Sequence, residues 1–156
     1  MNNLIIIGNG GHAISCIEVI EAENKFKILG LVTEKHANKN RKIKYTHIGN
    51  DKDFAKLLKK SKNAFIAIGF IRDSINRANI FSKLKKIGFH LPVIISPTSY
   101  KSNQSTLNEG TILMHNSFVN SQVKIGKNCI INTGTVIEHE DIIGANIHVF
   151  TAAAVT

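Results

Sequence analysis

The apolar positions of this chain follow two different periods. Residues 3–8, "NLIIIG", form a short continuous apolar run closed by glycine, the pattern of a parallel strand buried on both faces. Next, "HAISCIEVIEAEN" places Ala13, Ile17 and Ile20 on one helical face, and residues 27–34 read as a second strand, completing a βαβ unit. Residues 51–61 predict a helix with Asp51 or Asp53 near its start, and 64–69 a strand. Residues 73–88 predict a helix capped by Asp73 or Ser74 and ended by Gly88, and 91–96 a last strand. Strands alternating with helices imply a parallel sheet covered on both sides.

From Leu107 the pattern changes. Every sixth residue is a branched aliphatic: Leu107, Leu113, Val119, Ile125, Ile131, Ile137, Ile143, Val149 and Val155. The residue before each anchor is often apolar (Ile112, Phe118, Ile130, Val136, Ile142), and the residue four after it is usually small (Thr111, Ser117, Cys129, Thr135, Ala153). Six is neither the helical period nor strand alternation. It matches the hexapeptide repeat of a parallel β-helix, whose coils stack around a shared apolar interior. With three hexapeptides per triangular coil, residues 107–156 make fewer than three coils. The polar segment "SPTSYKSNQST" marks the boundary, so the expected organisation is an α/β domain over 1–97, a linker over 98–106 and a repeat domain over 107–156. A β-sandwich with fortuitous spacing competes, and the unbroken period argues against it.

Composition adds exclusions. An apolar content of 43% over 156 residues is enough for a core. The opening "MNNLIIIGNGG" carries no basic leader and the longest later apolar run, "AFIAIGFI", is too short to span a bilayer, so a cytoplasmic protein without membrane insertion is expected. Cys16 and Cys129 lack metal-type spacing and are expected to be reduced and buried; no metal is expected. The net charge of +9 is uneven, with 18 Lys/Arg against 7 Asp/Glu in residues 1–106 and 2 against 4 in 107–156. Ten Lys/Arg and two Asp lie between Lys35 and Lys62. That stretch fits either a phosphate-attracting surface or a solvated face. Without stacking aromatics or helix-turn-helix signals, the solvated face is preferred and no nucleic-acid partner is expected.

Two places carry candidate chemistry. "IIIGNGGHA" sets Gly8, Gly10 and Ala13 as G-x-G-x-x-A directly after a strand and opening a helix. Glycines there allow backbone to approach a phosphate, and the helix N-terminus supplies N–H groups and the positive dipole end. Asn9, Gly11 and His12 belong to the same loop; His12 either reaches a phosphate or sugar or caps the loop. Glu34 is the candidate for a ribose after the second strand. Without a hydride-transfer apparatus, an NAD role is not expected. The second place is "IEHEDIIGANIHV", residues 137–149, with His139 between Glu138 and Glu140 and His148 in the slot before an anchor. A histidine titrating near neutrality takes a proton from an attacking amine or hydroxyl. The plain alternatives are a solvated His139, a buried hydrogen-bonded His148, and a turn role for Asn132, which follows an anchor as Asn108, Asn120, Gly126 and Gly144 do.

With "GNGGHA", "ILGLV", "IAIG" followed by Arg77, "ISPTSY", "EGTILMHNSFVNSQVKIGKNCIINTGTVIEHE" and "HVFTAAAV", the chain resembles the sialic acid O-acetyltransferases and bacillosamine-type nucleotide-sugar N-acetyltransferases. The resemblance implies a Rossmann-like nucleotide-sugar-binding domain followed by a short left-handed β-helix that forms a homotrimer and binds acetyl-CoA. It implies an O- or N-acyltransferase acting on a nucleotide-linked amino sugar or sialic-type acid by direct attack on the thioester. His139 is then the general base, Glu140 orients it, and Asn132 and His148 position acyl donor and acceptor. Gly8, Asn9, Gly10, Gly11, His12 and Glu34 hold the nucleotide-sugar. This sequence departs from the family in having "VTE" where Asp-Asp is common after the second strand, and "HVFTAA" where a small serine and a glycine usually follow the histidine. Relatives of this kind continue for further hexapeptides, so an incomplete β-helix is expected. The alternative function is a shortened nucleotide-sugar-binding remnant with weak or no turnover.

Overall fold

The computed structural model describes residues 1–34, 43–69 and 75–156, in two compact units, Met1–Pro92 and Val93–Thr156. The caps expected at Asp73 or Ser74, and residues 35–42 of the basic stretch, lie outside the described residues. Among the described residues no helix is long and apolar enough to cross a membrane.

The first unit is built on β1 (Asn2–Ile7), whose Leu4, Ile5, Ile6 and Ile7 are all at most 2% exposed, as a strand covered on both faces requires. β2 (Phe26–Val32), β3 (His47–Gly49) and β4 (Asn63–Ile66) join it in the all-parallel order β3-β2-β1-β4. Between β1 and β2 runs α1 (Gly11–Glu23), burying Ala13, Ile17 and Ile20 as the periodicity predicts, together with Cys16 and Val19. It stops at Asn24, a left-handed residue whose N–H donates to the Ile20 carbonyl at 3.2 Å. Ile5 and Ile7 face one side of the sheet and pack with Val32, Phe54, Leu57, Ile66, Ile80, Leu84 and Phe89. Each such side chain contributes roughly 1.5–3 kcal/mol on burial.

The helix expected over 51–61 is shorter: a 3₁₀ turn, Asp51–Asp53, runs into α2 (Phe54–Leu57). Its cap is Asn50 rather than Asp51 or Asp53. The Asn50 side chain accepts from the Lys52 N–H, and Asp53 Oδ2 accepts from the Asn50 N–H, both at 2.9 Å. α3 (Ile75–Ile87) ends at Gly88 as expected, with its N–H donating to the Leu84 carbonyl at 3.1 Å. Residues 91–96 do not form a fifth strand of this sheet. His90 makes one parallel bridge to Asn63, and the chain then enters the second unit.

In the second unit, two-residue strands recur every six residues from Ile94–Ile95 to Ala154–Val155. Strands eighteen residues apart pair in parallel, giving three sheets: Ile94–Ile95, Ile112–Leu113, Ile130–Ile131, His148–Val149; Tyr100–Lys101, Phe118–Val119, Val136–Ile137, Ala154–Val155; and Thr106–Leu107, Lys124–Ile125, Ile142–Ile143. The anchors from Leu113 to Val149 form one buried cluster, with Ile95, Leu107 and Val155 packed against it. The repeat therefore begins two hexapeptides before Leu107, and residues 98–106 are part of the first coil rather than a linker. Lys101 hides the start, because it fills an anchor slot and donates Nζ to the Ser102 and Ser105 carbonyls at 2.9 and 2.8 Å. The backbone pairing of Tyr100–Lys101 is indifferent to that side chain.

Coil corners fall at the third residue after each anchor, where φ is positive: Gly110, Asn116, Gln122, Asn128, Gly134, Glu140, Asn146 and Ala152. The turn position is thus two residues beyond Asn132, and a left-handed backbone does not explain that asparagine.

Candidate active site

At the carboxyl ends of β1, β2 and β4 lies a cleft of about 560 Å³, lined by Ile7, Gly8, Asn9, Val32, Thr33, Glu34, Asp51, Ile68, Asn76 and Ile80. Ligands of open parallel sheets bind at this edge, where strand order reverses. Gly8 has φ +119°, and a Cβ there would stand 2.9 Å from Ile68 Cγ1 and 3.1 Å from the Ala67 carbonyl oxygen, so only glycine keeps the cleft wall in place. Gly10 caps α1 without a side-chain hydrogen bond, and the first turn holds no acidic residue, so the positive end of the helix is available to an anion. A Cβ on Gly11 would meet nothing within 4 Å.

His12 takes a different place from the cleft walls, with its Nε2 3.2 Å from Cys16 Sγ. Burial pushes the Cys16 thiol up to about 12, partly offset by the positive charge of Arg77. Arg77 is itself buried and donates Nη1 to the Ile66 and Ile68 carbonyls, the second at 2.9 Å, which fixes the exit of β4 into the cleft. Glu34 lines the cleft. Sequence reasoning missed Asp51, Thr33 and Asn76 as cleft residues; Asp51 carried only a helix-start signal.

In the second unit, His139 and Glu140 occupy an exposed corner, 70% and 68% accessible at their side chains. His139 Nδ1 stands 4.0 Å from Glu140 Oε2, too far for a hydrogen bond. Glu140 is the left-handed corner residue, φ 67°, with its N–H donating to the Ser121 carbonyl at 3.0 Å. Its side chain lines a groove of about 300 Å³ with Gln104, Thr106, Gln122, Lys124 and Ile142. Glu138 is tied back by Asn120, whose Nδ2 donates to Oε2 at 2.8 Å.

Asn132 and His148 are brought together, Nδ2 to Nε2 at 3.1 Å, while Asn132 Oδ1 accepts from the Thr133 N–H at 2.8 Å. The Asn132 amide nitrogen can only donate, so His148 Nε2 accepts and the ring proton is on Nδ1 when neutral. Phe150, 70% exposed, lies against the His148 ring with centroids 4.8 Å apart. His139 lies beside the Glu140 corner, whereas His148 lies in the His148–Val149 strand, paired with Ile130. Among the described residues no cluster of His, Cys, Asp and Glu is arranged to hold a metal.

The family model of the PglD N-terminal domain matches residues 3–84, more than half of the chain. The chain belongs to this family. It is an acetyltransferase of the nucleotide-sugar acetyltransferase family, as the solved structures it resembles also indicate. PerB from Caulobacter crescentus, solved with CoA and GDP-perosamine, is 30% identical with a TM-score of 0.87, over 99% of this chain and 71% of that one. A His-to-Asn variant of the perosamine N-acetyltransferase from the same organism, also with CoA and GDP-perosamine, is 29% identical with a TM-score of 0.88 over the same shares. The acetyltransferase domain of PglB from Neisseria gonorrhoeae, with acetyl coenzyme A, is 23% identical with a TM-score of 0.86, over 100% of this chain and 74% of that one; at that identity it speaks for the fold alone.

Proposed function

We propose that the chain acetylates the amine of a nucleotide-linked amino sugar, with acetyl-CoA as donor and His139 as general base. The observation that carries this reading is an exposed imidazole beside the Glu140 carboxylate at a β-helix corner, in a chain 29–30% identical to N-acetyltransferases solved with CoA and a GDP-sugar. The nucleotide takes the first-unit cleft, its diphosphate on the α1 N-terminus and its ribose at Glu34. The acceptor nitrogen attacks the thioester carbonyl, the carbon–sulfur bond breaks, and the amide forms as His139 accepts the proton from nitrogen and passes it to the departing thiolate. A closure of about 1 Å would bring Glu140 into hydrogen-bond range of His139, a tightening common when substrate binds.

Asn132, His148 and Phe150 suit the acyl-donor side: His148 Nε2 holds the Asn132 amide, whose second N–H is left to donate to a carbonyl, and the Phe150 ring is exposed to an aliphatic arm. The coils are left-handed in this reading. The protomer forms a homotrimer through the outward column of Tyr100, Phe118, Val136 and Ala154, in which Tyr100 and Phe118 stack with centroids 4.8 Å apart.

Free-thiol release from acetyl-CoA in the presence of nucleotide-linked amino sugars tests the reaction. His139→Ala is expected to slow release about 100- to 10,000-fold while leaving stabilisation by the nucleotide-sugar intact. Release unaffected by the substitution would remove the assigned role.

A further inference from the structure

We propose that Asp51 reads the base of the nucleotide and that the base is guanine. The inference rests on the nucleotide-sugar reading of the first-unit cleft and goes beyond it by naming the base and the residue that selects it. Among the described residues two carboxylates line that cleft, Glu34 past the end of β2 and Asp51 past the end of β3. The floor of Ile7, Val32, Ile68 and Ile80 gives a planar base an apolar surface and no side-chain hydrogen bonds.

Topology separates the two acids. With the diphosphate at the start of α1, the acid following β2 is the one in reach of the ribose hydroxyls. Asp51 lies one strand further from the phosphate end, since β3 is the edge strand beyond β2. It is left to meet the base.

Asp51 is a held acceptor rather than a waving surface acid. Lys83 Nζ stands 3.3 Å from its Oδ2, and its side chain is 23% exposed. The turn that carries it is fixed by the reciprocal Asn50 and Asp53 hydrogen bonds. An ionised carboxylate only accepts. Guanine presents two adjacent donors on one edge, its ring N–H and its amino group, which match two carboxylate oxygens. Uracil has a single N–H flanked by carbonyls that repel an anion. Cytosine and adenine set an acceptor beside their amino group. A bidentate match of this kind discriminates by about 5- to 100-fold.

Calorimetric titration of the full chain with GDP, UDP, CDP, ADP and xanthosine diphosphate, for the wild type and Asp51→Asn, tests the assignment. Xanthine carries a carbonyl where guanine has the amino group, so an amide side chain complements it. Because Asp51 is outside the Asn50–Asp53 capping pair, the substitution spares the turn, and thermal melting without ligand verifies that. The expected result is GDP tightest in the wild type by about tenfold or more, and a preference for xanthosine diphosphate over GDP in Asp51→Asn. UDP as tight as GDP in the wild type overturns the inference and leaves the cleft reading standing. So does Asp51→Asn with unchanged GDP affinity or no gain for xanthosine diphosphate. Failure of every nucleoside diphosphate to bind overturns both.

Discussion

Gly126→Ala should loosen the β-helix at one corner. A Cβ on Gly126 would stand 2.6 Å from the Ala145 nitrogen, 2.6 Å from the Gly144 carbonyl carbon and 2.7 Å from its oxygen, all backbone atoms of the neighbouring coil. No rotamer change relieves such a contact, so the coils must part by about 0.8 Å to reach the 3.4 Å of ordinary van der Waals contact. Two ladder bonds cross at this place, Gly126 N–H to the Ile143 carbonyl and Lys124 N–H to the Asp141 carbonyl, each 2.9 Å. Weakening them costs about 0.5–1.5 kcal/mol apiece, and overpacking adds about 1–3 kcal/mol, so the expected loss is about 2–6 kcal/mol. Gly144 holds the same place in the next coil, but there an added Cβ meets only Ile147 Cγ1 at 4.0 Å. Gly144→Ala should therefore stay within about 0.5 kcal/mol of the wild type. Urea unfolding followed by far-ultraviolet circular dichroism measures both. Equal losses in the two variants, or a loss below about 1 kcal/mol for Gly126→Ala, would refute the close-approach argument.

Two further outcomes are expected. The folded pKa of Cys16, about 12, lies above its ordinary value of 9.0, so the folded state keeps a proton that the unfolded state gives up; this stability is present below pH 9 and is lost as pH rises from about 9 to 12. Urea unfolding between pH 8 and 11 should show the wild type losing more stability than Cys16→Ala, and parallel curves would count against burial as the cause. Phe118→Asp puts a charge into the exposed Tyr100–Phe118 stack and should convert a trimer to protomers in light scattering; an unchanged mass would exclude this column as the contact.

The candidate sites divide by how local their signals are. The Gly8–Gly10 loop and Glu34 were legible because a strand, a turn and a helix N-terminus are close in sequence and each has its own residue signature. Asp51 was legible only as a helix-start residue, since nothing local says that β3 returns beside β2 and brings it to the cleft that Glu34 lines. His139 was singled out by its polar register and by resemblance, but its 4.0 Å separation from Glu140 was not readable, because a corner φ of 67° turns Glu140 toward the groove it shares with Gln122 and Lys124.

The six-residue period by itself pointed to stacked coils in the later part of the chain, because an aliphatic at every sixth position fits neither the helical period nor strand alternation. Its starting point was decided by tertiary structure. At Lys101 the anchor slot is filled by a lysine whose ammonium is satisfied by the Ser102 and Ser105 carbonyls, and the strand is held by backbone pairing to Phe118–Val119. The same division holds for Asn132 and His148: sequence set each in its register, and only the stacking of one coil on the next put an amide 3.1 Å from an imidazole sixteen residues away. Side-chain periodicity records what must be buried. Contacts between coils depend on backbone geometry that residues distant in sequence share.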